Sequence, residues 1–183
     1  MKIACLGWGS LIWRPENLLV RHKWFEDGPI IPIEFARESR DKRITLVITD
    51  NAKPIRILWA LMSVGNLQTA IQSLQQREGI ADRNRDTLIG RVKADDNPTE
   101  EIKKIILNWL KAYNLDAAIW TDLKPKFNNE DRTPSIEEVL GHLTKLDYED
   151  KKHAEEYIRK TPKQIDTDYR RDIEMTLGWT KIE

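Results

Sequence analysis

A chain of 183 residues, 40% of them hydrophobic, is long enough to bury a core of its own, and its one cysteine excludes an internal disulfide framework and fits a reducing compartment. Lys+Arg 30 against Asp+Glu 30 leaves no net charge, so the basic footprint of a nucleic-acid-binding protein is missing. With no apolar run long enough for a membrane span or a signal-peptide core, the expectation is a cytoplasmic protein with no membrane or nucleic-acid partner, folded as one domain over residues 1–183.

The first predicted element is a short strand, Ile3-Ala4-Cys5-Leu6, and Cys5 within it reads as buried rather than nucleophilic. The chain then runs Gly7-Trp8-Gly9-Ser10-Leu11-Ile12-Trp13-Arg14-Pro15, a loop in which two glycines flank one bulky residue. Glycine tolerates positive φ, so such a turn can aim successive backbone N–H groups into one concavity that binds anionic oxygens. The competing reading is a tight turn that only reverses the chain. Trp8 and Trp13 border the concavity under the first reading. Ser10 does not sit in a Gly-x-Ser-x-Gly elbow, so a structural or substrate-contacting hydroxyl is preferred to a nucleophile.

Residues 28–63 read as three strands: Ile30 to Phe35, Ile44 to Ile48, and Ile55 to Met62, the last apolar enough to be central. Pro32 predicts an edge or a bulge in its own strand. Arg37, Arg40, Lys42 and Arg43, interleaved with Glu38 and Asp41, read as a solvated hairpin end. A helix is predicted from Asn66 to Glu78: Leu67, Ala70, Ile71 and Leu74 share one face, Asn66 is the N-cap and Gly79 the stop. Arg83 to Asp86 reads as an exposed loop and Leu88 to Val92 as a strand. Asn97-Pro98-Thr99-Glu100 predicts the start of a helix carrying Ile102, Ile105, Ile106, Trp109 and Tyr113. Ala117 to Trp120 is a short strand. Lys124 to Phe127 either lines a cavity near Trp120 or covers a sheet edge. Ser135 with Glu138 forms a capping box, Thr161-Pro162-Lys163-Gln164 repeats a start signal, and Tyr169, Ile173 and Leu177 precede Gly178. The class is α+β, with a helix-rich C-terminal extension from about residue 133.

Glu78 continues the stripe of Ile71 and Leu74. A carboxylate on the apolar face of a last helical turn meets desolvation and the negative end of the helix dipole, both of which raise its pKa, while Arg77 beside it opposes them. A carboxyl poised upward suits a general base. A helix-end glutamate turned to solvent is the other possibility. His22, His142 and His153 stand apart from one another and from Cys5, so no metal site is expected.

The loop and Glu78 together make the chain resemble the γ-glutamylcyclotransferase-like family, and most closely its glutathione-degrading branch. Members open with a Tyr-Gly-Ser-Leu loop after the first strand, often extended to a form like Gly-Tyr-Gly-Ser-Leu-Ile-Trp-Arg-Pro. Gly7 to Pro15 matches with Trp8 in place of the tyrosine. The family's catalytic glutamate lies late in the following helix, in a context like Leu-Asp-x-Arg-Glu, and Leu74-Gln75-Gln76-Arg77-Glu78 answers to it. The match covers roughly residues 1–92. The resemblance implies a small, mostly antiparallel barrel with packed helices. It also implies cleavage of a γ-glutamyl amide to 5-oxoproline without metal or organic cofactor. Glu78 is then catalytic, and Gly7, Trp8, Gly9, Ser10 and Leu11 bind the γ-glutamyl substrate. A binding module for a small anionic metabolite, without turnover, and an interaction protein using the helical C-terminal third are the alternatives.

Overall fold

The computed structural model describes residues 1–182. In chain order the elements are β1 (Ile3–Gly7), β2 (Val20–Phe25), β3 (Ile30–Glu38), β4 (Ile44–Ile48), β5 (Pro54–Arg56), β6 (Leu58–Met62), α1 (Leu67–Arg77), α2 (Arg85–Leu88), β7 (Ile89–Lys93), α3 (Glu101–Ala112), β8 (Ala117–Thr121), α4 (Ile136–Lys145), α5 (Tyr148–Lys160) and α6 (Asp168–Leu177). The class is α+β. The strands form a five-stranded sheet, β2-β6-β1-β8-β7, and a three-stranded sheet, β4-β3-β5, with no closed barrel found among the described residues. The chain divides into two compact units: Met1–Gly7, Arg14–Ile31 and Arg56–Leu123 in the first, and Trp8–Trp13, Pro32–Ile55 and the chain from Lys124 onward in the second.

In the first unit β1 is an unbroken apolar run because it lies inside its sheet, antiparallel to β6 and parallel to β8. The expected single strand from Ile55 to Met62 is divided into β5 and β6, and only β6 lies inside the five-stranded sheet. β2 was not anticipated: at the sheet edge only Val20 among its residues is buried, so it carries no alternating pattern. α1 begins as expected, Asn66 accepting the Thr69 N–H at 3.0 Å. It ends in a Schellman arrangement: the Gly79 and Ile80 amides return to the Gln76 and Gln75 carbonyls at 3.2 and 3.0 Å, and Gly79 takes φ +63. The segment read as an exposed loop is a turn of 3₁₀-helix, Asp82–Asn84, leading into α2. α3 starts at Glu101, later than the Asn97-Pro98 signal implies. Asp96 closes a turn on Lys93, receiving the Lys93 N–H at 2.8 Å, and the chain is still extended at Glu100.

The second unit is built on the β3–β4 hairpin. Its tip is the solvated charged turn expected, with Arg43 and Asp41 paired at 2.7 Å. β3 is the middle strand of its sheet and not an edge, but the bulge expected as the alternative in Pro32's strand is present, as a register shift at Phe35/Arg37. The pairing with β4 runs from Ile33, so the missing proline N–H lies outside that ladder, while the Pro32 carbonyl still accepts the Thr49 N–H at 3.1 Å. The 124–127 segment covers a sheet edge: Lys126 donates to Ala36 at 3.1 Å and receives the Glu38 N–H at 2.7 Å. α4 starts on the predicted Ser135–Glu138 capping box. α6 starts at Asp168 on a Thr167 cap, not at Thr161. The Thr161 hydroxyl donates to the Tyr157 carbonyl at the end of α5, so this threonine closes a helix rather than opening one. The fully buried Arg170 donates to the carbonyls of Ile158, Thr161, Pro162 and Ile165, fixing the turn between α5 and α6.

Candidate functional site

Gly7 and Glu78 belong to the first unit; Trp8, Gly9, Ser10 and Leu11 belong to the second. In the first unit the topology fixes which end of the sheet Glu78 occupies. β6 runs antiparallel to β1, with Leu61 opposite Ala4, so α1 starts near the N-terminal end of β1. Eleven helical residues rise about 16 Å and the five of β1 span about the same. α1 packs on β8 and β7 and returns its last turn to the C-terminal end of β1, where Gly7 lies.

Glu78 is the C-cap of α1, and its N–H bonds the Leu74 carbonyl at 3.0 Å. Its side chain is 16% exposed, so the stripe of Ala70, Ile71 and Leu74 does continue to this carboxylate. The opposing cation is in direct contact: Arg77 Nη1 lies 2.8 Å from Glu78 Oε1. The same guanidinium donates to the Arg14 carbonyl from Nε at 3.2 Å and from Nη2 at 2.7 Å. Arg77 therefore ties the end of the helix to the residue that re-enters this unit after the loop. Burial pushes the Cys5 thiol up to about 12; the Glu78 carboxylate adds to this and Arg77 works against it. Cys5 is thus a protonated core residue at neutral pH. Cys5 lies within the electrostatic reach of Glu78 and Arg77.

Two expectations for the glycine loop are corrected. Gly7 is the last residue of β1, paired with Leu58, and not part of the loop. Neither Gly7 nor Gly9 has positive φ; among the described residues only Gly79 and Gly178 do so among glycines. Gly9 is required for another reason. A Cβ there would lie 2.4 Å from Tyr157 Oη, so the tyrosine hydroxyl occupies the space a side chain would need. The Gly9 carbonyl accepts the Ile12 N–H at 3.0 Å, closing a turn that leaves Leu11 buried and Ser10 half-buried.

The loop is fastened within its own unit at Leu46. β4 is an edge strand, and Leu46, opposite Phe35, turns its N–H and C=O outward. Trp8 Nε1 donates to that carbonyl at 3.1 Å, and the Leu46 N–H donates to Tyr157 Oη at 3.3 Å. Trp8 is buried, so its indole serves the edge strand. Trp13 meets the Tyr157 ring edge-on at 5.5 Å between centroids, Phe35 meets it at 6.3 Å, and the Arg43 guanidinium lies over it at 5.3 Å. Sequence reasoning missed Tyr157 because it missed α5. The available signal was the triplet Ala154, Tyr157 and Ile158, the buried face of an otherwise charged segment.

Among the described residues no group of three or more His, Cys, Asp or Glu is arranged to hold a metal ion, and no helix is long and apolar enough to cross a membrane. Compared with known proteins, the chain matches no family model, no curated protein and no solved structure.

Proposed function

We propose that this chain is a cytoplasmic γ-glutamylcyclotransferase-like enzyme acting on a small γ-glutamyl amide. The observation that carries the reading is Glu78: a mostly buried carboxylate at the end of α1, level with the C-terminal end of β1, in the order and spacing that the family resemblance requires. The two open sheets support the family's fold only as far as the α+β class.

The substrate's α-nitrogen attacks its own γ-carbonyl. The nitrogen–carbonyl bond forms, the amide C–N bond breaks, and a five-membered lactam and a free amine result. Starting from an ammonium, the α-nitrogen gives up two protons and the leaving nitrogen gains two. Glu78 carries them in turn as base and acid. Nucleophile and electrophile are tethered, so holding the ring-closing conformer supplies several kcal/mol of the barrier. The resemblance gives the backbone amides of residues 7–11 the glutamyl oxygens, where fixed donors stabilise developing negative charge. No metal or organic cofactor enters these steps. The family's tyrosine is replaced by Trp8, whose N–H is already engaged by Leu46, so the reading assigns it no proton transfer.

A panel of γ-glutamyl amides with different leaving amines, scored for 5-oxoproline, tests the reading and identifies the leaving group. Glu78→Gln keeps the size of the side chain but does not carry protons, and turnover should fall by about 10²–10⁴. Its fold should be kept to within about 1 kcal/mol, as the Arg77 bonds to Arg14 remain. Near-normal turnover in that variant removes Glu78 from the chemistry. Binding of γ-glutamyl compounds by the wild type with no product at all selects the binding module instead.

A further inference from the structure

Glu78 would serve the α-amino group as base, but an ammonium carries three N–H donors and needs further acceptors to hold it. Among the described residues, two side-chain oxygens of the first unit are buried without partners. Gln75, on α1 one turn before Glu78, is 5% exposed; its amide donates to the Ile80 carbonyl at 3.0 Å and to Asp82 Oδ1 at 2.6 Å. Its Oε1 is buried with no hydrogen-bond partner. Thr121 Oγ1 is likewise buried and unpartnered. Leaving such groups unpaired costs about 1–3 kcal/mol each, which a ligand supplying donors recovers.

Register places Thr121. β1 and β8 are parallel, with Ile3, Ala4 and Cys5 beside Ala117, Ala118 and Ile119. Continuing that register sets Thr121 beside Gly7, on the same face as Cys5 and Ile119, since side chains alternate along a strand. Leu6, Trp59 and Trp120 share the other face, which α3 covers through the Trp59–Trp109 contact, so α1, packed on β8 and β7, covers the face of Cys5, Ile119 and Thr121. Trp120, whose Nε1 is also unpartnered, points to the opposite face and lies outside this group. The Thr121 residue as a whole is half-buried, with its Oγ1 in the buried part.

We propose that Glu78, Thr121 Oγ1 and Gln75 Oε1 form a subsite for a primary ammonium group, the α-amino end of an amino-acid-like ligand. Three acceptors meet the three N–H bonds of an ammonium, and the one charged acceptor supplies both the counterion and the base. The two neutral oxygens orient the nitrogen and take no proton. This inference rests on the proposed function for its role in catalysis, but not for its binding chemistry.

The test compares wild type, Thr121→Val and Thr121→Ser in three measurements: calorimetric binding of L-glutamate, the same with N-acetyl-L-glutamate, and 5-oxoproline release from a γ-glutamyl amide. Thr121→Val should weaken L-glutamate binding and lower kcat/KM by about 10- to 100-fold. Thr121→Ser should stay within about threefold of wild type. N-acetyl-L-glutamate, which has no ammonium, should bind weakly to all three. The ligand-free melting temperature of Thr121→Val should not fall, because an unpaired buried hydroxyl has been removed. If Thr121→Val binds and reacts like wild type, or N-acetyl-L-glutamate binds as tightly as L-glutamate, the subsite is overturned and the enzyme reading stands. If wild type releases no 5-oxoproline while Thr121→Val still weakens L-glutamate binding, the enzyme reading falls and the subsite stands. A wild type that neither binds nor reacts overturns both.

Discussion

Gly9→Ala should destabilise the protein far more than an alanine in a turn ordinarily does, and the structure says by what route. The new Cβ would stand 2.4 Å from Tyr157 Oη, where ordinary contact begins at 3.4 Å, so one partner must shift by about 1 Å. Tyr157 has little room to give: Trp13 and Phe35 hold its ring edge-on and Arg43 covers it. The Leu46 N–H bond to Oη is already 3.3 Å long, and a shift of that size breaks it. Overpacking costs about 1–3 kcal/mol and an unpaired buried N–H about 1–3 kcal/mol, so the variant should lose about 2–6 kcal/mol in urea unfolding. Tyr157→Phe removes the same hydrogen bond without the clash and should lose about 1–3 kcal/mol. The double variant is the decisive measurement. With Oη gone the nearest ring atom is 3.3 Å from the new Cβ, a contact a small adjustment relieves. The double variant should therefore be no worse than Gly9→Ala alone, which makes the two losses non-additive by at least about 1 kcal/mol. Additive losses, or a Gly9→Ala variant as stable as wild type, would refute the steric account of this glycine.

Trp8→Phe leaves the Leu46 carbonyl without its donor and should cost about 1–2 kcal/mol in the same assay, with 5-oxoproline turnover kept within about tenfold; a collapse of turnover with the fold intact would give the indole a chemical role. Arg170→Lys exchanges a planar fork that serves four carbonyls for a single ammonium in a fully buried site, so a loss of about 3–5 kcal/mol is expected by denaturant unfolding, and tolerance of lysine there would contradict the network. Burial pushes the Glu34 carboxyl up, against the Thr167 hydroxyl and the Phe35 and Tyr169 amides that pull it down, so the folded protein holds this proton more tightly than the unfolded chain does. Its stabilising contribution is complete below the unfolded value of about 4.3 and is lost as pH rises through the higher folded value. The stability of wild type relative to Glu34→Gln should accordingly decline from pH 4 towards neutrality, and a difference that is flat or rises with pH would show the sign to be wrong.

The elements that were legible in the sequence are those where an apolar period and a terminal signal agree. α1 carries both an Asn66 cap and a Gly79 stop around one stripe, and α4 carries its capping box; both start where the pattern says. Where only one kind of signal is present, the reading fails. Pro98 and Pro162 each suggested a helix start, but each sits in an irregular segment whose shape is set by other groups, Asp96 on Lys93 in one case and Arg170 on four carbonyls in the other. α5 buries only Ala154, Tyr157 and Ile158, too little to register as a stripe among charges.

The candidate site divides along the same line. Glu78 was legible because a helix end and an apolar face are local properties. The reason for Gly9 was not, because it depends on Tyr157, a residue distant in sequence on a helix whose apolar face is only three residues. From sequence alone a glycine needed for positive φ and one needed for close approach look alike, but they answer to different substitutions. Asparagine is tolerated at a left-handed position and fails against a hydroxyl at 2.4 Å, as does any side chain at all. The loop's glycine therefore reports a packing constraint from α5. The shape of the Trp8–Leu11 turn is thus held from the C-terminal third of the chain, and changes around Tyr157 should alter this loop.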